Sequence, residues 1–222
     1  MADGSASVMH GLTSVMVTVF GPREARSRAT TQHDRATLSV NDGRACIQRG
    51  YVGRILEFAA NIKSTFEPVL QLYLYPRSQI DINVQILQSD GSLLQAAINA
   101  TTLALIDAGI PLNDFVCGIT CALHDATPLL DLTSLEESDL PHVTVAVLPK
   151  SGKITLASLE TQLAVERFDE MLRLTGDAAK VIHIEMVGVV KARTDRIVRA
   201  MDSAQASGGA RGIPDVDAEM GE

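Results

Sequence analysis

The chain has 222 residues and a mass of 23.7 kDa, 46% of them hydrophobic, which is room for one large or two small domains with a real core. That balance excludes a disordered or collagen-like chain. Aromatic residues reach only 4% and tryptophan is absent, which argues against a binder that stacks single-stranded bases; a net charge of −8 argues against coating duplex DNA by bulk electrostatics.

Near the start, SASVMHGLTSVMVTVFGP places two apolar-rich runs around His10 and Gly11, which predicts a hairpin whose return strand, Thr13 to Phe20, stops at Gly21-Pro22. Ala36 to Val40 reads as a third strand. From Arg49 to Gln71, Tyr51, Ile55, Phe58, Ile62, Phe66 and Val69 recur at helical spacing. Gln79 to Gln88 alternates, with Ile80, Ile82, Val84 and Ile86 on one face, the pattern of a strand covered on one side. After the turn Ser89-Asp90-Gly91-Ser92 comes LLQAAINATTLALIDAGIP, apolar nearly all round and closed by Gly109 and Pro111, hence a buried helix. Phe115 to Leu123 reads as a strand, and His142 to Leu148 with Lys153 to Leu159 as a hairpin. A last helix is expected from Val165 to Met201, interrupted near Gly176 and Gly188, and residues from Asp202 on as a flexible acidic tail. The order predicts an α+β fold, a mixed β-sheet with flanking α-helices, in a single domain over residues 1–201 with the tail over 202–222.

Three cysteines, Cys46, Cys117 and Cys121, cannot pair off evenly and read as reduced, intracellular thiols, Cys117 and Cys121 as buried ones. No apolar run approaches the roughly 18 residues of a membrane span, and the N-terminus lacks a signal-peptide layout, so a soluble protein with no membrane partner is expected. Gly152-Lys153 lacks the glycine and hydroxyl residue of a phosphate-binding loop, and neither GxGxxG nor GxSxG occurs. The five histidines lack metal-ligand spacing. Asp131, Glu136, Glu137 and Asp139 form an acidic group between two strands; such a group can hold a cation, but a helical turn capped by Thr133 or Ser134 is the simpler account. Between Arg23 and Arg54 lie seven of the chain's arginines, Arg23, Arg26, Arg28, Arg35, Arg44, Arg49 and Arg54, against Glu24, Asp34 and Asp42. Their planar forks match phosphate, so this stretch is a candidate anion site in an acidic protein.

Four strings together resemble the RNase PH family: GPREARSR, YPRSQIDINVQILQSDG, INATTLALIDAGIPLNDFVCGITCAL and LLDLTSLEE. The resemblance covers about residues 2–200 and is strongest to members that build the eukaryotic exosome ring. It implies an RNase PH-like fold, and a heteromeric ring of RNase PH-like subunits around a pore that admits RNA. It also implies a cap of RNA-binding subunits and an associated hydrolytic exoribonuclease, in the nucleus, nucleolus and cytoplasm. Processing of ribosomal RNA and turnover of mRNA follow from the same resemblance.

Active members of the family cleave RNA from the 3′ end with inorganic phosphate, held by a Thr-Arg or Ser-Arg pair after an Asp-Gly-Gly or Asp-Ala-Gly turn. Here Leu93 and Leu94 follow Asp90-Gly91-Ser92, and leucine offers neither donor nor charge. The family's acidic residue before the strand matching Val143 to Leu148 falls at His142, with Asp139 three residues early on a shortened loop. The resemblance therefore implies a non-catalytic subunit, with no catalytic residue, metal or cofactor; the alternative is a phosphorolytic 3′-to-5′ exoribonuclease using Asp139. A free-standing adaptor with no RNA role would leave the arginines unexplained. Arg54 in GRILEF occupies a family arginine position at the start of the first long helix, facing the pore, and its neighbour there is Gly53 here; Arg77 in YPRSQID matches another recurrent family arginine. Arg49, Arg23, Arg26 and Arg28 are RNA-binding candidates on local charge. The chain starts at the family's first strand without the basic segment that usually precedes it, and the Val40 to Arg54 loop is short.

Overall fold

The computed structural model describes residues 2–24, 32–42, 52–124, 127–159, 161 and 163–208. Strand β1 (Gly4–His10) pairs antiparallel with β2 (Thr13–Glu24), β2 with β4 (Ser78–Gln88), and β3 (Thr37–Asp42) runs parallel to β4, giving a mixed sheet in the order β1-β2-β4-β3. One face of it is dry. Val15, Val17 and Val19 of β2 and Ile80, Ile82 and Val84 of β4 are fully buried, each contributing roughly 1.5–3 kcal/mol of burial. They pack with Ile62 and Phe66 of helix α1 (Val52–Phe66) and with the alanines of helix α2 (Leu93–Asp107). The opposite face carries Gln79, Asp81 and Asn83, which is why β4 alternates so strictly.

The strands of the second half form a sheet of their own. β5 (Cys117–His124) pairs antiparallel with β6 (Thr127–Leu130) and β7 (His142–Leu148), and β7 with β8 (Lys153–Leu159). This sheet is covered on both sides: Cys117, Ile119, Cys121, Val143 and Val145 face Met171, Ala179 and Met186 of helix α4 (Val165–Gly208), while Ala146 joins the core around α2. Helix α2 lies against β1 and β2 on one side and β5 and β7 on the other, so it is apolar nearly all round because nearly all of it is enclosed. Its Gln95 and Asn99 serve the part of β5 that β6 does not reach: Gln95 Oε1 accepts from Thr120 N at 2.7 Å, and Asn99 bonds both Gly118 N (2.8 Å) and Gly118 O (3.1 Å).

Several boundaries differ from the sequence expectation for identifiable reasons. β2 does not stop at Gly21-Pro22 but continues to Glu24 through a register shift; Gly21 has φ +123°, and a Cβ there would come 2.7 Å from Gln79 O. Helix α1 ends at Phe66, not Gln71, because Pro68 disfavours helical backbone at Glu67, and Leu70 then bridges to Leu112. β6 has only four residues, one of them Pro128, too few to show a period. The expected breaks at Gly176 and Gly188 are absent: α4 is continuous and reaches Gly208, past the expected tail start at Asp202. The chain divides into two compact units, residues 1–186 with both sheets and residues 187–222. Among the described residues no helix is long and apolar enough to cross a membrane.

Candidate functional site

The turn before α2, where active members of the family that the sequence resembles hold phosphate, is tightly built. Thr13 Oγ1 donates to Gly91 O at 2.8 Å and accepts from Asp90 N at 2.9 Å, fixing the turn to the β1–β2 hairpin. Ser92, with φ +47°, exchanges two hydrogen bonds with the backbone of Leu132, at 3.1 and 2.9 Å. Gly91 has φ +91°, and a Cβ on it would lie 2.4 Å from Leu132 O, so only glycine lets this segment approach so closely. Ser134 Oγ donates to Asp90 Oδ1 at 3.1 Å.

Leu93 and Leu94 form the first turn of α2, half-buried and packed against the core of the first sheet. No side chain caps this helix end; instead the carboxylate of Glu137 accepts from Ser92 N at 3.2 Å. One N–H of this helix start, that of Ser92, is thus bonded to a fixed negative group, and neither leucine supplies a compensating cation.

The acidic group of 131–139 does not converge. Thr133 caps helix α3 (Ser134–Asp139) in a capping box with Glu136, whose carboxyl is held below the usual carboxylate range, first by the Thr133 backbone N–H and then by its hydroxyl. Glu137 serves Ser92. Asp139, exposed at the end of α3, accepts from Ser138 Oγ at 3.2 Å, and His142 Nδ1 lies 3.3 Å from Leu140 O. Among the described residues no three His, Cys, Asp or Glu side chains are placed to hold a metal ion.

Of the arginines close in sequence, the structure describes Arg23, Arg35 and, in its backbone, Arg54. Arg23, opposite Gln79 on β4, lies at the end of the first sheet where β4 starts; its guanidinium is 3.2 Å from Asp3 Oδ2 and 4.9 Å from the Phe20 ring centroid. Asp3 also accepts from Gly21 N at 2.8 Å, and that bond, followed by Arg23, lowers its pKa. Arg77 precedes β4 in a left-handed conformation, φ +59°, is exposed, and makes no ion pair with a described residue. Arg54 belongs to the first turn of α1. Arg26, Arg28 and Arg49 lie outside the described residues. The brace of Arg23 by Asp3 was not foreseen from sequence, since it depends on the β1–β2 register that sets Gly4 beside Val19.

Comparison with known proteins places these features. Residues 1–111 match the model of the 3′ exoribonuclease family, domain 1 (RNase PH), and residues 114–178 that of domain 2 of the same family. The exosome complex component RRP41 of Homo sapiens is 38% identical over 199 residues, covering 86% of this chain and 81% of that protein. SKI6 of Saccharomyces cerevisiae, also an exosome complex component, is 35% identical over 181 residues, covering 78% and 74%. Among solved structures, rice (Oryza sativa) Rrp46 superposes with a TM-score of 0.76 at 24% identity over 86% of this chain and 89% of that one. The Archaeoglobus fulgidus exosome with RNA bound to the active site gives 0.69 at 22% identity over 83% of each.

Proposed function

Because the chain belongs to the 3′ exoribonuclease family and has its RNase PH-like fold, we propose that it is a non-catalytic RNase PH-like subunit of an exosome core ring. It lines the central channel and guides RNA to an associated hydrolytic exoribonuclease, alongside other RNase PH-like ring subunits and cap RNA-binding subunits. Its place is the nucleus, including the nucleolus, and the cytoplasm, and its work the 3′-to-5′ processing and decay of RNA.

The single observation that carries the non-catalytic reading is the start of α2. Phosphate at this turn meets two leucines and the Glu137 carboxylate, where catalysis needs a hydroxyl and a guanidinium. Each charge-assisted hydrogen bond so forgone is worth about 1.5–3 kcal/mol. Asp139, the residue with which a phosphorolytic enzyme would have to work, is exposed and bonded to Ser138 rather than joined to that turn.

The test is a phosphorolysis assay on the complex that copurifies with the tagged chain from its own cells. The expected result is an assembly of several RNase PH-like chains that releases no nucleoside diphosphate from RNA when phosphate is added. Phosphate-dependent release abolished by Asp139→Asn would overturn the reading in favour of the phosphorolytic enzyme, and a monomer would overturn the ring. For the channel role, Arg54→Glu is expected to shorten the RNA protected by the ring without dissociating it.

A further inference from the structure

From Leu140 to Leu159 the only Lys, Arg, Asp or Glu residues are Lys150, in the turn between β7 and β8, and Lys153, at the start of β8. Both line a cleft of about 620 Å³, a size that suits a small ligand, together with Pro68, Asn113, Ile154 and Thr155. The cleft opens beyond Leu148, at the end of β7 opposite to His142, so it is distinct from the acidic group of 131–139. Its walls are tied to one another. Asn113 N donates to Val69 O and Gln71 Nε2 to Asn113 Oδ1, both at 3.0 Å, and Leu70 bridges Leu112. The buried carboxylate of Asp114 accepts from Phe115 N at 2.7 Å and from Lys150 N at 3.1 Å, which holds the β7–β8 turn against the segment before β5.

The polar groups still open on these walls are donors. Neither lysine makes an ion pair with a described residue, and the Nδ2 group of Asn113 donates to none. The side-chain acceptors are engaged: both Asp114 oxygens by backbone N–H groups, Asn113 Oδ1 by Gln71, and Ser151 Oγ by Lys153 N. The matching ligand brings negative charge and acceptors but no donors, which describes a phosphate ester. An acidic peptide would bring backbone N–H groups that these side chains no longer answer. No aromatic ring lines the cleft, so phosphate and sugar are read there and base stacking adds nothing.

We propose that the cleft between residues 68–69, 113–114 and the β7–β8 turn is a phosphate-ester site, taking a nucleotide phosphate or the backbone of single-stranded RNA. Lys150 and Lys153 supply the charge, and Asn113 Nδ2 donates a third hydrogen bond. Contacts of this kind are blind to base sequence and sensitive to salt. The site stands on this geometry and not on the proposed function, which its failure would leave untouched.

The test is fluorescence anisotropy of the full chain with a labelled oligouridylate over a salt series. It compares the parent with the Lys150→Gln, Lys153→Gln and the Lys150→Arg, Lys153→Arg double variants; both side chains are exposed, so the fold is kept. The glutamine pair is expected to bind about tenfold more weakly at about 50 mM salt, with a slope of log affinity on log salt smaller by about 1.4, roughly 0.7 for each phosphate, while the arginine pair keeps both. Acetylation of Lys150 and Lys153 by an N-hydroxysuccinimide ester, read by peptide mass spectrometry, is expected to slow when the oligonucleotide is saturating, while that of Lys180, paired with Asp177, does not. Displacement of the oligonucleotide by uridine monophosphate assigns the site to a single nucleotide phosphate; displacement by unlabelled oligonucleotide alone assigns it to the RNA backbone. Absence of binding, or unchanged affinity and slope in the glutamine pair, overturns the proposal. Displacement by polyglutamate as effective as by RNA overturns it as well and gives the cleft to acidic polypeptides.

Discussion

The amide of Asn99 spends both of its hydrogen bonds on one residue, donating to Gly118 O and accepting from Gly118 N, in a place from which water is excluded. Removing the side chain orphans a buried N–H and a buried C=O together. Asn99→Ala is therefore expected to lower stability by about 2–4 kcal/mol, read from urea unfolding midpoints, whereas Ser203→Ala on the exposed face of α4 should cost less than about 0.5 kcal/mol. A second effect at this scale concerns acid. The Asp3 and Glu136 carboxyls are held below their ordinary range by hydrogen bonds that exist only in the folded chain, chiefly from Gly21 N–H and Thr133 N–H. With folded values below unfolded ones, the stability they add is full above the unfolded range and is lost as pH falls through the folded values. Below about pH 4 the unfolding midpoint should drop more steeply in the parent than in Glu136→Gln, and parallel curves would refute the assignment.

Elements were legible where one physical cause dominates. β4 alternates because one face of its sheet is dry and the other wet, and α2 shows its end through Gly109 because a left-handed residue has to follow Ala108. The continuity of α4 was not legible: Gly176 costs about 1 kcal/mol of helix propensity, a loss that the packing of Met171 and Ala179 on the second sheet offsets. The separation into two sheets was hidden for a related reason, since what divides them is α2, and a helix enclosed on all sides shows no polar face from which to infer its neighbours. At the site, Leu93 and Leu94 stood plainly in the sequence, while the bond of Glu137 to the α2 start needed the approach of α3 to that turn to be seen. β5 supplies a chemical test of this account. Burial pushes the Cys117 thiol up to about 12 and the Cys121 thiol up to about 11, so both should resist iodoacetamide at pH 8 in the native protein and react in urea, as followed by mass spectrometry. Native labelling of either would mean that the α4 cover opens readily.

At the scale of the whole molecule, charge limits how the proposed RNA contact can be made. A chain of net charge −8 repels a polyanion at long range, and among its described arginines Arg23 is braced against Asp3 at the end of the first sheet where Arg77 stands, while Arg54 belongs to the first turn of α1. Isolated contacts of this kind are weak, because each phosphate neutralised contributes only its own share of counterion release. Neighbouring subunits that set further cations around one channel would add their contacts without adding this chain's repulsion, and the summed effect is steep in salt. The isolated chain is accordingly expected to bind single-stranded RNA at least about tenfold more weakly than the copurified complex at 100 mM salt, and with a shallower dependence of log affinity on log salt. Fluorescence anisotropy with one labelled oligonucleotide over a salt series measures both quantities. Equal affinity and equal slope would place the whole RNA site on this chain alone and remove the need for a ring.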